Sequence, residues 1–494
     1  MKSENKVFIG SAVITLAIAL WGIIGNDSFT KVANTLMKGL KSNFSWLYLI
    51  TMLFFVVFSF VLAFSKYGKV RLGDDDDRPE YSLVSWFAML FAAGMGVGLV
   101  FWGIAEPLSH YIDPMNGITP ESTESMSFSI RSCFMHWGLH PWACYAIMGF
   151  SLAYIRFRRK KKFLVSNLFT SLLGENASSN PIGIVIDIFT TLLTVIGVAT
   201  SFGVGCLQIC AGLQYLFKVP ENNKTYIIVI VIICICYLTS AVTGVSKGVK
   251  LLSNFNLILC GLLMVVAFIV GPSLDIVSNM VKGVGDYIVN FIPDSLRLTS
   301  NGDGRWIQDW RIFYWAWWLS WAPFVGIFIA RISKGRTIRE FVLGVMIVPT
   351  LLSILWFSVF SGVAFNVVDH FSTEQLIEMA ASPQTALFII FGEYQSGMIL
   401  LVIAIVLLVT FFVTSSDSAT FVLAMLTSNG ELEPSNKKKI FWGILMAILA
   451  FALILSGGVT TVQTIAIVIA FPYLFILIGM CINFIKDLRK NEGK

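Results

Sequence analysis

The chain has 494 residues, of which 56% are hydrophobic and 13% charged, against about 45–50% and about 25% for soluble domains. These proportions exclude a soluble globular protein, and a net charge of +6 is too diffuse for nucleic-acid binding. Eight cysteines lie in or beside apolar runs without any C-x-x-C spacing, so neither a disulfide framework nor a cysteine metal site is expected.

Many apolar runs exceed the roughly 18 residues that mark a bilayer-crossing helix. Twelve spans are predicted, at 7–24, 46–65, 83–106, 134–155, 184–217, 225–245, 251–271, 312–330, 340–365, 396–426, 440–456 and 461–485. The expected fold class is an all-α polytopic membrane protein. Lys2 and Lys6 precede the first span, but no small-residue cleavage pattern follows it, so it is read as a membrane helix and not a signal peptide.

Lys and Arg concentrate on the connections that share a side with the N-terminus, which places both termini in the cytoplasm. The densest cluster, Arg156, Arg158, Arg159, Lys160, Lys161 and Lys162, reads as a topology anchor. The run from Asp74 to Asp77 reads as a solvated turn. In the longest hydrophilic connection, 272–311, Val281, Val284, Ile288 and Phe291 recur at helical spacing, with Lys282, Asp286 and Asn290 on the other side. This pattern predicts an amphipathic helix on the outer membrane surface or against a partner subunit.

Span three contains Gly94-Met95-Gly96-Val97-Gly98. Gly94 and Gly98 form a G-x-x-x-G pair suited to close helix packing, whereas Gly96 points nearly opposite and favours local unwinding. Unwound backbone inside a membrane is tolerated where it lines a protein-enclosed cavity, and its carbonyls can coordinate a cation there. Span ten carries Thr414-Ser415-Ser416-Asp417-Ser418, four hydroxyls and a carboxylate in an apolar helix. Oxygen ligands of this kind suit a hard cation such as sodium, although Ser and Thr also bond back to their own helix. Asp187 and Glu106 are weaker candidates, because each falls near a predicted helix end.

Span four holds Trp137, Trp142 and Tyr145, with Pro141 expected to bend the helix between them. Span eight holds Trp315, Trp317, Trp318 and Trp321. Four tryptophans in seven residues exceed what an interfacial belt requires. Aromatic faces attract a cation, worth about 2 kcal/mol or more when desolvated, and a quaternary ammonium group has no N–H to offer a carboxylate. His136 and His140, one turn apart, could hold zinc, but a helix-packing role fits them better.

At these residues the chain resembles the betaine/choline/carnitine transporter family. The resemblance is carried by Gly94-Met95-Gly96-Val97-Gly98 continuing to Phe101-Trp102-Gly103-Ile104-Ala105-Glu106-Pro107, by His136-Trp137-Gly138-Leu139-His140-Pro141-Trp142-Ala143-Cys144-Tyr145, and by Trp315-Ala316-Trp317-Trp318-Leu319-Ser320-Trp321-Ala322-Pro323-Phe324. A further match runs from Ala330 through Arg331-Ile332-Ser333-Lys334-Gly335-Arg336 to Phe341.

The resemblance implies two inverted five-helix repeats (83–271 and 312–485) after two extra helices (1–82). A surface helix and connection (272–311) would lie between the repeats, and a short cytoplasmic tail (486–494) would follow them. It implies a cell-membrane protein, commonly a homotrimer in contact with lipid. It also implies an aromatic box of Trp137, Trp142, Tyr145 and Trp318, with the backbone of Gly94, Met95, Gly96 and Gly98 near the substrate. Trp317, Trp321 and Phe328 would line the path or a second, transient site. One sodium site would use Ala92, Met95, Phe411, Thr414 and Ser415; the other would use Thr194 with Phe324.

Val198 stands where sodium-coupled relatives place a second threonine, so the second sodium site lacks a hydroxyl. Sodium-independent exchangers of the family use a basic side chain in place of the ion, and spans three, five and ten contain no Lys or Arg. Choline carriers can carry an aspartate in the glycine stretch, which here ends in Gly98. The expected function is sodium-coupled symport of a trimethylammonium osmolyte, glycine betaine ahead of choline or carnitine, without enzymatic chemistry or a cofactor beyond the coupling ion.

Overall fold

The computed structural model describes residues 3–94, 96–243, 246–298 and 304–493. The first half contains α1 (Ser3–Ile24), α2 (Asn26–Phe64), α3 (Leu83–Gly94), α4 (Val97–Ile112), α5 (Thr123–Trp137), α6 (Leu139–Ala153), α7 (Thr170–Leu173), α8 (Pro181–Phe217), α9 (Asn223–Thr243) and α10 (Ser246–Val270). The rest comprises α11 (Ser273–Leu296), α12 (Gly304–Trp306), α13 (Ile312–Arg331), α14 (Ile338–Phe365), α15 (Thr373–Ala381), α16 (Pro383–Gly392), α17 (Gly397–Leu426), α18 (Asn436–Leu455) and α19 (Gly458–Glu492). Among the described residues the β-structure is a single bridge, Arg71 to Thr337.

Helix starts follow local chemistry. Thr337 and Glu340 form a capping box at α14, and Ser122 with Ser125 does the same at α5. Asn180 caps α8, whose first residue is Pro181.

Ten helical segments among the described residues are long and apolar enough to cross a membrane. They coincide with ten of the twelve predicted spans. The other two, 83–106 and 134–155, fall on interrupted helices. The first is divided between α3 and α4. The second is divided between α5 and α6 at Gly138, whose φ and ψ are −91° and −131°. Helix α2 begins twenty residues before the predicted span, because Lys31, Lys38 and Lys41 are helix-permissive and no proline intervenes.

The bend expected at Pro141 is therefore displaced to Gly138. A Cβ at Gly138 would meet the Phe134 carbonyl oxygen at 2.4 Å and the Tyr287 hydroxyl at 2.6 Å, so only glycine fits this junction. Pro141 sits in the first turn of α6, where a missing N–H costs nothing.

The tryptophan-rich segment is the most enclosed, 94% buried in its apolar window, and packs on α6, α8 and α19. By contrast, α1, α9 and α10 are buried over only 28%, 33% and 22% of theirs, leaving apolar faces of the kind that meet lipid. Helices α6 and α13 approach closely at Gly149 and Gly326; a Cβ on Gly326 would meet Met148 at 2.2 Å and the Gly149 nitrogen at 3.3 Å. This crossing sets the face of α6 against the tryptophans of α13.

The amphipathic helix is present as α11, with its faces rotated from the predicted pattern. Ile276, Gly283 and Tyr287 are buried, Val284 and Phe291 are partly packed, and Val281 and Ile288 are 66% and 69% exposed. Glycine at 283 lets Ile130 and Phe134 of α5 pack against the helix backbone, which pulls that side inward.

Connections assigned to one side by charge meet on one face. Arg158 pairs with Glu492 and Asp75, Lys160 with Asp74, and Lys334 with Asp77. Connections assigned to the other side also meet one another, through Arg305–Asp113 and Lys41–Asp309. The Asp74 to Asp77 run is thus a paired turn.

Candidate substrate and ion site

Four aromatic residues from three helices form one buried cluster. Trp137 closes α5, Trp142 and Tyr145 stand one turn apart on α6, and Trp318 lies in the middle of α13. The Trp137 and Trp318 ring centroids are 4.8 Å apart at 72°. Tyr145 lies 6.4 Å from Trp318 at 86°, and Trp142 lies 5.6 Å from Tyr145 at 89°. Edge-to-face pairs leave ring faces turned toward a neighbour's edge, a favoured aromatic geometry. Trp317 stacks on Trp318 at 5.0 Å and 10°.

Gly98 belongs to this cluster. A Cβ there would meet the Trp317 ring at 2.8 Å and the Trp137 ring at 3.4 Å, so its bare backbone seats both rings. Helix α3 ends at Gly94, α4 begins at Val97, and Gly96 between them has φ −130° and ψ −147°. Ala92 and Gly94 thus lie in the last turn of α3; Met95 lies outside the described residues.

The glycine break faces span ten. A Cβ on Gly96 would lie 3.2 Å from Ser415 Oγ. Ser415 also lines a cavity of about 10 Å³, roughly one water-sized sphere, with Val97, Val198, Ser201, Phe202, Trp321, Phe324 and Phe412. Residues expected for three different roles, Ser415, Phe324 and Trp321, therefore border one small space. Trp321 donates from Nε1 to the Gly197 carbonyl at 3.0 Å. Thr194 is buried, with its hydroxyl bonded back to Thr190 O at 2.8 Å, and is not among the residues bordering that space. Phe411 is buried and Phe328 half-buried.

Thr414 reveals a partner that periodicity did not single out. Asn256 of α10, 2% exposed, donates from Nδ2 to Thr414 Oγ1 at 3.0 Å, and its Oδ1 has no partner among the described residues. Asp417, by contrast, stands about 200° around the helix from Ser415. It faces Ser240 and Lys439 and stands one turn from Thr414, so within span ten it is Ser415 that points away from the carboxylate.

The two weaker carboxylate candidates separate clearly. Asp187 accepts from Ser166 N at 3.0 Å and Ser166 Oγ at 2.6 Å, pinning the segment that precedes α7. Glu106, fully buried on α4, gathers four donors: His136 Nδ1 at 2.6 Å and His110 Nε2 at 3.3 Å on Oε1, with Trp137 Nε1 at 2.8 Å and the Tyr314 hydroxyl on Oε2. Ligand atoms of Glu106, His110 and His136 lie within 4.8 Å of one another. The 2.6 Å contact is nevertheless a hydrogen bond, shorter than the roughly 3.3 Å between two ligands each about 2.0 Å from a tetrahedral metal. His140 takes no part in this group; it stacks on Trp315 at 4.7 Å and lies 3.0 Å from Ser295 Oγ, a packing role.

A larger groove, about 460 Å³, lies at the C-terminal end of α8, lined by Tyr215, Lys218, Gln375, Glu378 and Phe388 among others. It holds none of the predicted site residues, and its mixed, open lining lacks the convergent aromatic faces of the buried cluster.

Residues 6–493 match the model of the betaine/carnitine/choline family transporters. The chain is 43% identical over 497 residues to the glycine betaine transporter OpuD of Bacillus subtilis, covering 100% of this chain and 96% of that one. It is 39% identical over 494 residues to the ectoine/hydroxyectoine transporter of Virgibacillus pantothenticus, covering 99% and 98%. It is also 37% identical over 490 residues to a glycine betaine transporter of Acinetobacter baylyi, covering 99% of this chain and 74% of that protein. The chain belongs to the betaine/carnitine/choline transporter family and is a multi-pass membrane transporter, not an enzyme.

Proposed function

We propose that this protein is a sodium-coupled symporter of glycine betaine in the cell membrane, both termini cytoplasmic, working by alternating access between two inverted five-helix repeats. The observation that carries the substrate is the buried cluster of Trp137, Trp142, Tyr145 and Trp318, built from three separate helices. Its rings offer π faces to a cation that has no N–H of its own. The carboxylate beside these rings, Glu106, is capped by four donors and so is not free to compete.

Two features support sodium as the coupling ion. Ser415 faces the helix break at Gly96, where backbone carbonyls leave the helical ladder. Thr414 is held in place by Asn256, whose Oδ1 adds a neutral oxygen beside it. Val198 at the small cavity offers no oxygen, so one strong ion site is the expected minimum.

The deciding experiment is uptake of glycine betaine into proteoliposomes with an inward sodium gradient, against the same vesicles in symmetric potassium buffer. Accumulation only with sodium supports the reading. Equal accumulation in potassium, or counterflow without any ion, identifies an exchanger. Ectoine as competitor tests the solute, because one relative is named for it; ectoine displacing betaine at lower concentration than betaine itself overturns the substrate assignment.

A further inference from the structure

Both indoles at the centre of the cluster are tethered from behind. Trp137 Nε1 donates to Glu106 Oε2, and Trp318 Nε1 donates to the His136 carbonyl at 2.8 Å. His136 in turn holds Glu106 through Nδ1. The two tethers therefore share a residue, and the N–H edge of each ring is occupied by a protein acceptor. Trp137 is the last residue of α5, next to the break at Gly138. Tyr314, stacked 5.7 Å from Trp318 and 5.7 Å edge-on to Trp137, is held by the same carboxylate.

We infer that Glu106 is the positioning residue of the aromatic box: it touches no substrate, and it fixes the planes of Trp137 and Tyr314 so that the box is formed before the cation arrives. This inference rests on the reading of the four rings as the substrate site. Four donors match the four lone-pair positions of a carboxylate. An amide in its place either turns its N–H₂ toward Trp137, which can only donate, and so loses that tether, or needs both histidines to change tautomer and accept. Pre-formed geometry of this kind supports binding by lowering the ordering cost on association.

The test is a double-mutant cycle on the full chain in detergent, reading glycine betaine Kd by intrinsic tryptophan fluorescence, with monodisperse elution as the folding control. Trp137→Phe keeps a ring but deletes the tethered N–H; Glu106→Gln deletes the acceptor. Each is expected to raise Kd about tenfold, and the double variant to bind within about twofold of Trp137→Phe alone, because groups acting through one contact are not additive. In uptake, Glu106→Gln should raise KM and leave kcat near wild type. Wild-type binding by Glu106→Gln, or losses that multiply to about a hundredfold, would overturn the inference. If Glu106→Gln does not purify as a folded protein, Glu106→Asp, which keeps the charge and withdraws it from the rings, takes its place in the same cycle, and multiplicative losses with Trp137→Phe have the same force. Trp318→Leu separates the two levels. If it leaves Kd unchanged, the box itself is wrong; if it weakens binding while Glu106→Gln does not, only the positioning role fails.

Discussion

A single side chain here often answers to several neighbours at once. Trp318 stacks on Trp317 and Tyr314, meets Trp137 and Tyr145 edge-on, and donates to His136 O. Trp318→Leu therefore removes a π face from the proposed cation site, and betaine Kd should rise about thirtyfold, the equivalent of about 2 kcal/mol. Calorimetric titration checks this, with circular dichroism verifying that helicity is kept. Gly98→Ala is predicted to weaken binding as well, because its Cβ would press on the Trp317 and Trp137 rings. The tryptophans were legible in the sequence because four in seven residues is a local excess. Glu106 was undervalued: its partners His136 and Trp137 are thirty positions away and Tyr314 more than two hundred, distances that periodicity does not reach.

Helices place these residues by where they stop. The glycines of span three marked an interruption, and the ends of α3 and α4 flank Gly96. The second interruption, at Gly138, was misassigned to Pro141, since proline in a first turn and proline in mid-helix look alike in a bare sequence. Span ten was read as one polar cluster, but a 200° rotation separates Ser415 from Asp417. Ser415→Ala should accordingly raise the sodium concentration for half-maximal uptake several-fold with little change at saturating sodium. Asp417→Asn should leave that concentration unchanged. Sodium titrations of uptake in proteoliposomes distinguish the two, and the reverse pattern would move the ion site to the other face of α17.

At the level of the whole molecule, charged connections gather at one end. Glu492, at the end of α19, holds Arg158 through Nε at 2.6 Å and Nη2 at 2.8 Å, and Arg158 also reaches Asp75. Lys160 holds the Asp74 carboxyl below its usual range, chiefly by its hydrogen bond, and Lys161 does the same for Glu175. Groups with depressed pKa values stabilise the folded state above their unfolded pKa, and this contribution is lost as pH falls through the lowered values. Asp74→Asn/Glu175→Gln should thus lower Tm slightly at neutral pH and match wild type in strong acid, as differential scanning fluorimetry in detergent would report. Both carboxylates are exposed, so the effect is small. Which loops share a side was legible from the alternation of the spans, whereas the pairing of Arg158 with a residue 334 positions later was not.

The central claim is that a methylated cation is held by rings and not by a negative side chain. Glycine betaine and 3,3-dimethylbutyrate have the same shape and carboxylate and differ only in the charge of the quaternary centre, so competing them for the purified protein isolates that charge. Cation–π recognition predicts at least about thirtyfold weaker binding of the carbon analogue, a preference that Trp318→Leu abolishes. Equal affinity for the two, or a preference that survives Trp318→Leu intact, would contradict the account.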